Sequence, residues 1–172
     1  EMSQTTWTNE KQNDLIFSVK LDGSNEKYNM LNNPQVTIEL PDEVEKVILG
    51  NCKLLLSDNL TLENASVKTN DNGKQCIVAT LSGAQTEYTG GDSTIVPTIN
   101  IEATIILKKD IEVKEGILKL SYTNQCNAGG AIDQGTVQKN IKIENYQDET
   151  NEEDSNLEGK LEKIYTNALK TE

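Results

Sequence analysis

The stretch that decides the fold is Thr98-Ile99-Asn100-Ile101-Glu102-Ala103-Thr104-Ile105-Ile106-Leu107. Five apolar side chains recur at every second position, Ile99, Ile101, Ala103, Ile105 and Leu107, and Ile106 alone departs from this pattern. Strict alternation puts all of them on one side of an extended chain, whereas a helix would distribute them around its axis. The stretch therefore predicts a β-strand with one buried face and one solvated face.

The same alternation recurs on both sides of this strand. Strand-like runs occupy residues 15–21, 36–40, 44–49, 52–56, 67–69, 75–81, 118–122 and 137–143. No segment with helical periodicity lies between residues 14 and 145, so the crossover helices of a parallel sheet have no place. The pattern predicts an all-β chain, an antiparallel immunoglobulin-like, Greek-key β-sandwich of eight to nine strands.

Turn residues give the expected boundaries of these strands. Gly50-Asn51 is expected to end one strand, and Lys114-Glu115-Gly116 to separate two others. Asn72-Gly73 lies between two strand-like runs, and both residue types tolerate positive φ. This pair predicts a hairpin with a type I′ turn.

The composition changes near residue 146, which suggests three segments. Residues 1–146 form the predicted sandwich, residues 147–155 an acidic linker, and residues 156–172 an amphipathic helical tail. Ser155 and Glu158 match a capping box, which marks the start of a helix. The apolar residues of the tail then follow helical spacing: Leu157, Leu161, Ile164 and Ala168. This tail could pack on the sandwich, begin a further domain or dock on a partner.

Composition excludes several functions. The chain of 172 residues has no His, and all its 16 basic residues are Lys, against 28 acids, for a net charge of −12. Without His it can form neither a Ser-His-Asp nor a Cys-His catalytic site. Its charge opposes binding to nucleic acid and to anionic membranes, and no apolar run is long enough for membrane insertion. Because the His-dependent catalytic sites are excluded, we expect a non-enzymatic protein.

Two long polar stretches are the candidate binding loops, because loops on a rigid scaffold often carry function. They cover residues 82–97 and 124–135, and their candidate contact residues are Gln85, Tyr88, Asp92, Asn127 and Asp133. The simpler interpretation is that both stretches are long hairpin connections.

Three cysteines allow one disulfide and one free thiol. The residues are Cys52, Cys76 and Cys126, and the sequence does not choose among the three pairings. Buried free thiols are the alternative. No cofactor is expected; the many acids allow a structural calcium ion, but no EF-hand spacing supports one. Lys139 shares its strand parity with apolar neighbours, so one interpretation is that it points inward and has a partner, as in an amide crosslink. The simpler interpretation is a Lys at the end of a strand.

Three stretches carry a resemblance to a known group of proteins. They are residues 33–41 with 44–47, residues 81–88, and residues 120–124. Together they resemble adhesin-like ectodomain modules of clostridial and other Firmicutes cell-surface proteins, over about residues 14–145. The resemblance implies an immunoglobulin-like sandwich on the cell envelope and no catalytic groups. The chain departs from such modules in its three cysteines, its lack of a sorting signal and its helical tail.

The sequence thus predicts a non-catalytic module of a secreted or cell-surface bacterial protein that acts in adhesion or as a structural spacer. Its expected partners are a host or cell-wall protein or glycan, bound through the loops or by strand addition at a sheet edge. The alternative is a carbohydrate-binding module of a secreted enzyme. That alternative needs exposed aromatic platforms, for which Trp7, Tyr28, Tyr88 and Tyr122 are available.

Overall fold

The computed structural model describes residues 1–21, 31–57, 59–85, 97–111, 114–125 and 132–145. Within these ranges the secondary structure is entirely strand and turn, and no helix is long and apolar enough to cross a membrane. The predicted linker and helical tail lie outside the described residues. The strands are β1 (Thr6–Thr8), β2 (Asn13–Lys20), β3 (Leu31–Asn32), β4 (Gln35–Glu39), β5 (Val44–Leu55), β6 (Leu60–Thr69), β7 (Gln75–Gln85), β8 (Thr98–Leu107), β9 (Lys114–Gln125) and β10 (Ile132–Glu144).

The strands form two sheets of unequal width. The larger sheet runs β1-β10-β9-β4-β7, with β3 and β6 also paired to β7, and the smaller runs β2-β8-β5. Every pairing is antiparallel except that of β1 with β10. The chain repeatedly passes from one sheet to the other, which confirms the predicted immunoglobulin-like β-sandwich.

The core lies between the sheets and is built on the alternation seen in the sequence. The inward residues of β8, from Ile99 to Leu107, are between 0% and 4% exposed. Those of β2 flank them, and Ile38, Leu118 and Leu120 face them from the larger sheet. The prediction of one buried face per strand is confirmed for β8 and β2.

Two predicted strand boundaries are wrong. Gly50-Asn51 does not end a strand, because β5 continues through it as a bulge between Leu49 and Cys52. The backbone N–H of Asn51 donates to the Glu102 carboxylate on β8 at 3.3 Å. A bulge keeps a strand paired while it absorbs an extra residue, so glycine and asparagine here mark a kink and not a turn. Likewise, Lys114 begins β9 and does not separate two strands.

The hairpin around Asn72-Gly73 exists, but its turn differs from the predicted type. Asn70 and Lys74 close the hairpin through an N–H···O bond of 3.0 Å, and the Gly73 N–H donates to the Asn70 carbonyl at 3.0 Å. Gly73 alone in the turn has positive φ, at +79°. The connection is therefore a three-residue loop with glycine in the left-handed position, and not a type I′ turn.

The expectation that Lys139 points inward to a partner is wrong, because its side chain is exposed. Lys139 lies opposite the buried Leu118, but β10 belongs to the wider sheet and has only the short β1 beyond it. The three-stranded sheet is narrower and does not cover this edge of the larger sheet. A side chain on the inward side of β10 can therefore still be exposed.

Buried asparagines hold the connection between β1 and β2. The Asn13 amide donates to the carbonyls of Thr8 at 2.9 Å and Ile105 at 3.0 Å, and its oxygen accepts the Thr8 N–H at 2.9 Å. Asn9 donates to the Lys109 carbonyl at 2.7 Å and to the Asn145 side chain at 2.9 Å. These bonds join β1 to β8 and to the end of β10.

We expect Asn13→Ala to lower the free energy of unfolding by about 2 kcal/mol or more, because it leaves buried backbone groups of Thr8 and Ile105 without partners. Asn72→Ala, at an exposed turn position, is the matched control and should cost no more than about 0.5 kcal/mol. Urea unfolding followed by fluorescence of the buried Trp7 measures both. Equal small losses would show that the Asn13 bonds do not stabilise the fold.

Gly83 and Gly73 both have positive φ, but their surroundings differ. A Cβ on Gly83 (φ +100°) would lie 2.3 Å from the Asn59 carbonyl oxygen, whereas one on Gly73 would meet nothing within 4 Å. Gly73→Ala should cost about 1–2 kcal/mol for backbone conformation alone. Gly83→Ala should cost clearly more, since Asn59 must also move. The same unfolding assay compares them, and a larger loss at Gly73 would contradict the close approach at Gly83.

Candidate functional site

The candidate site is one end of the sandwich, which we call the loop end. In the smaller sheet, Lys20 and Leu55 both pair with Thr98 there. In the larger sheet, the strand ends at this level are marked by the pairs Leu31–Gln85 and Ile132–Gln125. The short connection from Leu55 to Leu60 fixes these sheet ends on the same side of the molecule. The loop end therefore collects the chain segments that join β2 to β3, β7 to β8, and β9 to β10.

Both predicted binding loops leave from the loop end, but they are shorter than expected. β7 extends to Gln85 and β10 begins at Ile132, so Gln85 and Asp133 are strand residues, paired with Leu31 and Asn124. The loops are shorter because residues 82–85 and 132–135 are still paired with residues of the adjacent strands. Tyr88, Asp92 and Asn127 lie outside the described residues. A binding role for all five candidates stays a prediction.

A third connection at the loop end was missed by the sequence analysis. Residues 22–30 join β2 to β3, and their sequence is Asp-Gly-Ser-Asn-Glu-Lys-Tyr-Asn-Met. The turn-forming run at residues 22–25 after the strand-like residues 15–21 was the available signal. This segment leaves the sandwich beside the other two, because the Leu21 N–H donates to the Pro97 carbonyl at 2.8 Å.

Asparagine side chains brace the bases of these connections. The buried Asn124 on β9 accepts the Asn32 N–H through its side-chain oxygen at 2.8 Å. The Asn33 side chain accepts the Gly83 N–H at 3.0 Å, and its backbone N–H donates to the Gly83 carbonyl at 2.9 Å. Strand pairing is interrupted between β3 and β4, and amide side chains supply hydrogen bonds there that a continuous strand would make with its backbone. The loops thus start from a hydrogen-bonded frame.

An exposed apolar corner adjoins this frame. Leu55 and Leu56 are 41% and 60% exposed, and Leu56 has a φ of +61°. Leucine is uncommon in this left-handed conformation, which costs on the order of 1–2 kcal/mol. The following Ser57 accepts the Leu60 N–H at 3.3 Å and so helps to close the corner. The corner adds apolar contact surface to an otherwise polar loop end.

The cysteines do not form a reactive centre among the described residues. Cys52 on β5 and Cys76 on β7 are not bonded to each other, and Cys126 lies outside the described residues. Burial, then the charge of Glu102, raises the pKa of Cys52. Burial, then Glu39, raises the pKa of Cys76, although Asn70 and Lys74 oppose this. Both thiols are therefore protonated at neutral pH and are weak nucleophiles. A disulfide stays a prediction.

The described aromatic and acidic residues present neither a flat sugar platform nor a metal site. Trp7 and Phe17 are fully buried, and the Trp7 indole N–H donates to the Gln4 carbonyl at 3.2 Å. Tyr122 packs against the core beside Gly135. In the same ranges no group of three Cys, Asp or Glu residues is close enough to hold a metal. Tyr28 and Tyr88 lie outside the described residues, and structural calcium stays untested.

Comparison with known proteins gives likeness at the level of structure only. No family model and no curated protein sequence matches the chain. Among solved structures, the wild-type BspA C-terminal domain has a TM-score of 0.44 at 8% identity, over 84% of this chain and 46% of the other. AvmM, which catalyzes macrocyclization in alchivemycin A biosynthesis, has 0.37 at 8% identity, over 84% and 86%. A collagen-binding domain from a Staphylococcus aureus adhesin has a TM-score of 0.33 at 10% identity, over 74% of this chain and 88% of the other.

The chain spans less than half of the BspA structure. At these values the likenesses carry no argument about function.

Proposed function

We propose that the chain is a non-catalytic adhesion module of a secreted or cell-surface bacterial protein, and that it binds its partner through the loop end. The observation that carries this proposal is that the strands joined by residues 22–30, 86–96 and 126–131 all end at the loop end of a braced sandwich. Variable segments on a rigid frame are the usual arrangement of binding sites on β-sandwiches.

The chemistry of the loop end suits a protein or glycan partner. The connections carry the hydroxyl, amide and aromatic groups of Tyr28, Tyr88 and Asn127, which donate and accept hydrogen bonds. The Leu55–Leu56 corner supplies apolar surface at the same end of the sandwich. A mixed surface of this kind fits a contact with apolar and hydrogen-bonding parts, as protein interfaces have.

A spacer role is supported by a separate feature, the parallel pair of β1 and β10. Thr6 pairs with Lys142, and the Lys142 N–H donates to the Thr5 carbonyl at 2.9 Å. Tension between Glu1 and Asn145 pulls these two parallel strands along their lengths in opposite directions. Their hydrogen bonds then share the load, which resists separation better than breaking them one after another.

The carbohydrate-binding alternative gains no support from the described aromatic residues. It depended on an exposed ring beside a groove, and the buried Trp7 does not offer one. Tyr28 and Tyr88 carry what remains of it, and both belong to connections between strands that end at the loop end. A glycan partner is therefore an outcome of the same binding test.

We expect the double variant Tyr88→Ala, Asp92→Ala to weaken binding at least about tenfold, because removing central contacts of an interface typically costs more than about 1.4 kcal/mol. Biolayer interferometry of the full chain on immobilised collagen, cell-wall peptidoglycan and a neutral glycan measures this. The probe that binds the unaltered chain identifies the partner class.

The matched control is Asp71→Ala, Asp110→Ala, at exposed positions of the opposite end of the sandwich. It should bind like the unaltered chain. Equal weakening by both double variants would contradict a site at the loop end. Failure of all three probes to bind would contradict the adhesion role.

A further inference from the structure

The outward face of the three-stranded sheet is a mixed apolar and basic surface. Ile48 on β5 is 43% exposed, and the partly exposed Ile106 lies diagonally opposite it on β8, whereas Ile16 is on β2, beyond β8. Ile48 pairs with Thr104, while Ile106 is opposite Lys46 and Ile16 is opposite Glu102. We call this surface the β2-β8-β5 outer face. Ile48 and Ile106 leave apolar area on a solvated face that another chain segment can cover.

The charge of this face is opposite to that of the whole chain. It carries Lys20, Lys46 and Lys53, all exposed, in a protein of net charge −12. Its two carboxylates already accept hydrogen bonds: Asp14 accepts the Thr104 hydroxyl at 2.5 Å, and Glu102 accepts the Asn51 N–H at 3.3 Å. Lys46, opposite Ile106 in the register, therefore offers a positive charge beside the apolar area, which suits an acidic segment with an apolar stripe.

The chain itself contains such a segment after β10. Acidic residues fill its first part: Asp148, Glu149, Glu152, Glu153 and Asp154. The predicted helix over residues 156–170 then presents Leu157, Leu161, Ile164 and Ala168 at helical spacing. A single helix of this length is marginal in water unless its apolar side is covered.

The last described residue, Asn145, lies close to one end of the face. Asn9 joins Lys109, two residues after the end of β8, to the Asn145 side chain. β8 is the central strand of the three-stranded sheet. Residues 146–156 can reach about 35 Å when extended, and the ten-residue β8 is about 33 Å long. A 15-residue helix covers about 22 Å.

From these observations we infer that the tail, residues 147–172, docks on the β2-β8-β5 outer face of its own chain. The apolar stripe covers Ile48 and Ile106. The acidic residues before it lie against Lys46, whose register partner Ile106 is at the end of the sheet where the chain leaves the sandwich.

Hydrogen–deuterium exchange of the full chain, read by mass spectrometry on peptides from residues 156–170, tests this docking. In the unaltered chain these amides should exchange at least about tenfold more slowly than unstructured peptide. Ile48→Ser should abolish the protection. The matched control, Ile117→Ser, changes an isoleucine that is 52% exposed on the larger sheet and should leave it intact. Peptides from β8 report in the same spectra that each variant is folded.

A charge pair gives a second readout. Lys46→Glu should speed exchange of the tail, whereas Lys68→Glu, exposed on β6 of the larger sheet, should not. Tail amides that exchange without protection in the unaltered chain would overturn the inference. So would equal effects of Ile48→Ser and Ile117→Ser, because the docking face would then be misplaced. Protection that rises with protein concentration would show docking on a second copy and would also overturn it.

Discussion

The packing of the inward face of β8 is the contact on which the rest of the structure depends. β8 is the central strand of the smaller sheet, so its hydrogen bonds are taken up by β2 on one side and β5 on the other. Its alternate residues, which include Ile101 and Ile105, are buried against the larger sheet. The hydrophobic content of the chain is low, at 35%. This is enough for a sandwich, because each strand needs apolar residues on its inward face only. Loss of this face would remove the centre of the core, and loss of β8 would separate β2 from β5, because these two strands meet no strand of their own sheet except β8.

The unequal width of the sheets has consequences at both faces. The larger sheet overhangs the smaller at its rims, which explains why Lys139 is exposed although its neighbours Ile141 and Ile143 are buried. At the loop end, regular pairing is interrupted between β3 and β4. The side chains of Asn124 and Asn33 there accept hydrogen bonds from the backbone N–H groups of Asn32 and Gly83. Core packing thus fixes the sheets, and amide side chains fix the points from which the connections leave. The two together give a rigid frame whose loops can vary without cost to the core.

Much of the fold could be predicted because β8 alternates strictly, and a period of two has one structural meaning. β1 was not predicted because three residues around Trp7 are too few to show a period, and its partner β10 is more than a hundred residues away. The bulge at Gly50-Asn51 was misread because these residues serve turns and bulges equally well. Of the candidate site, the two long connections could be recognised by composition. Their meeting at one end could not, since it follows from pairings such as Leu31 with Gln85 that no local pattern contains.

The measurement that tests the central role of β8 most directly is the free energy of unfolding of Ile101→Ala beside Ile117→Ala, by urea denaturation. Ile101 is fully buried between Phe17 and Cys52 in the register, whereas Ile117 faces solvent. The account predicts a loss of about 2–5 kcal/mol for Ile101→Ala, from lost burial and the cavity left behind, and about 0.5 kcal/mol or less for Ile117→Ala. Comparable losses at the two positions would contradict it.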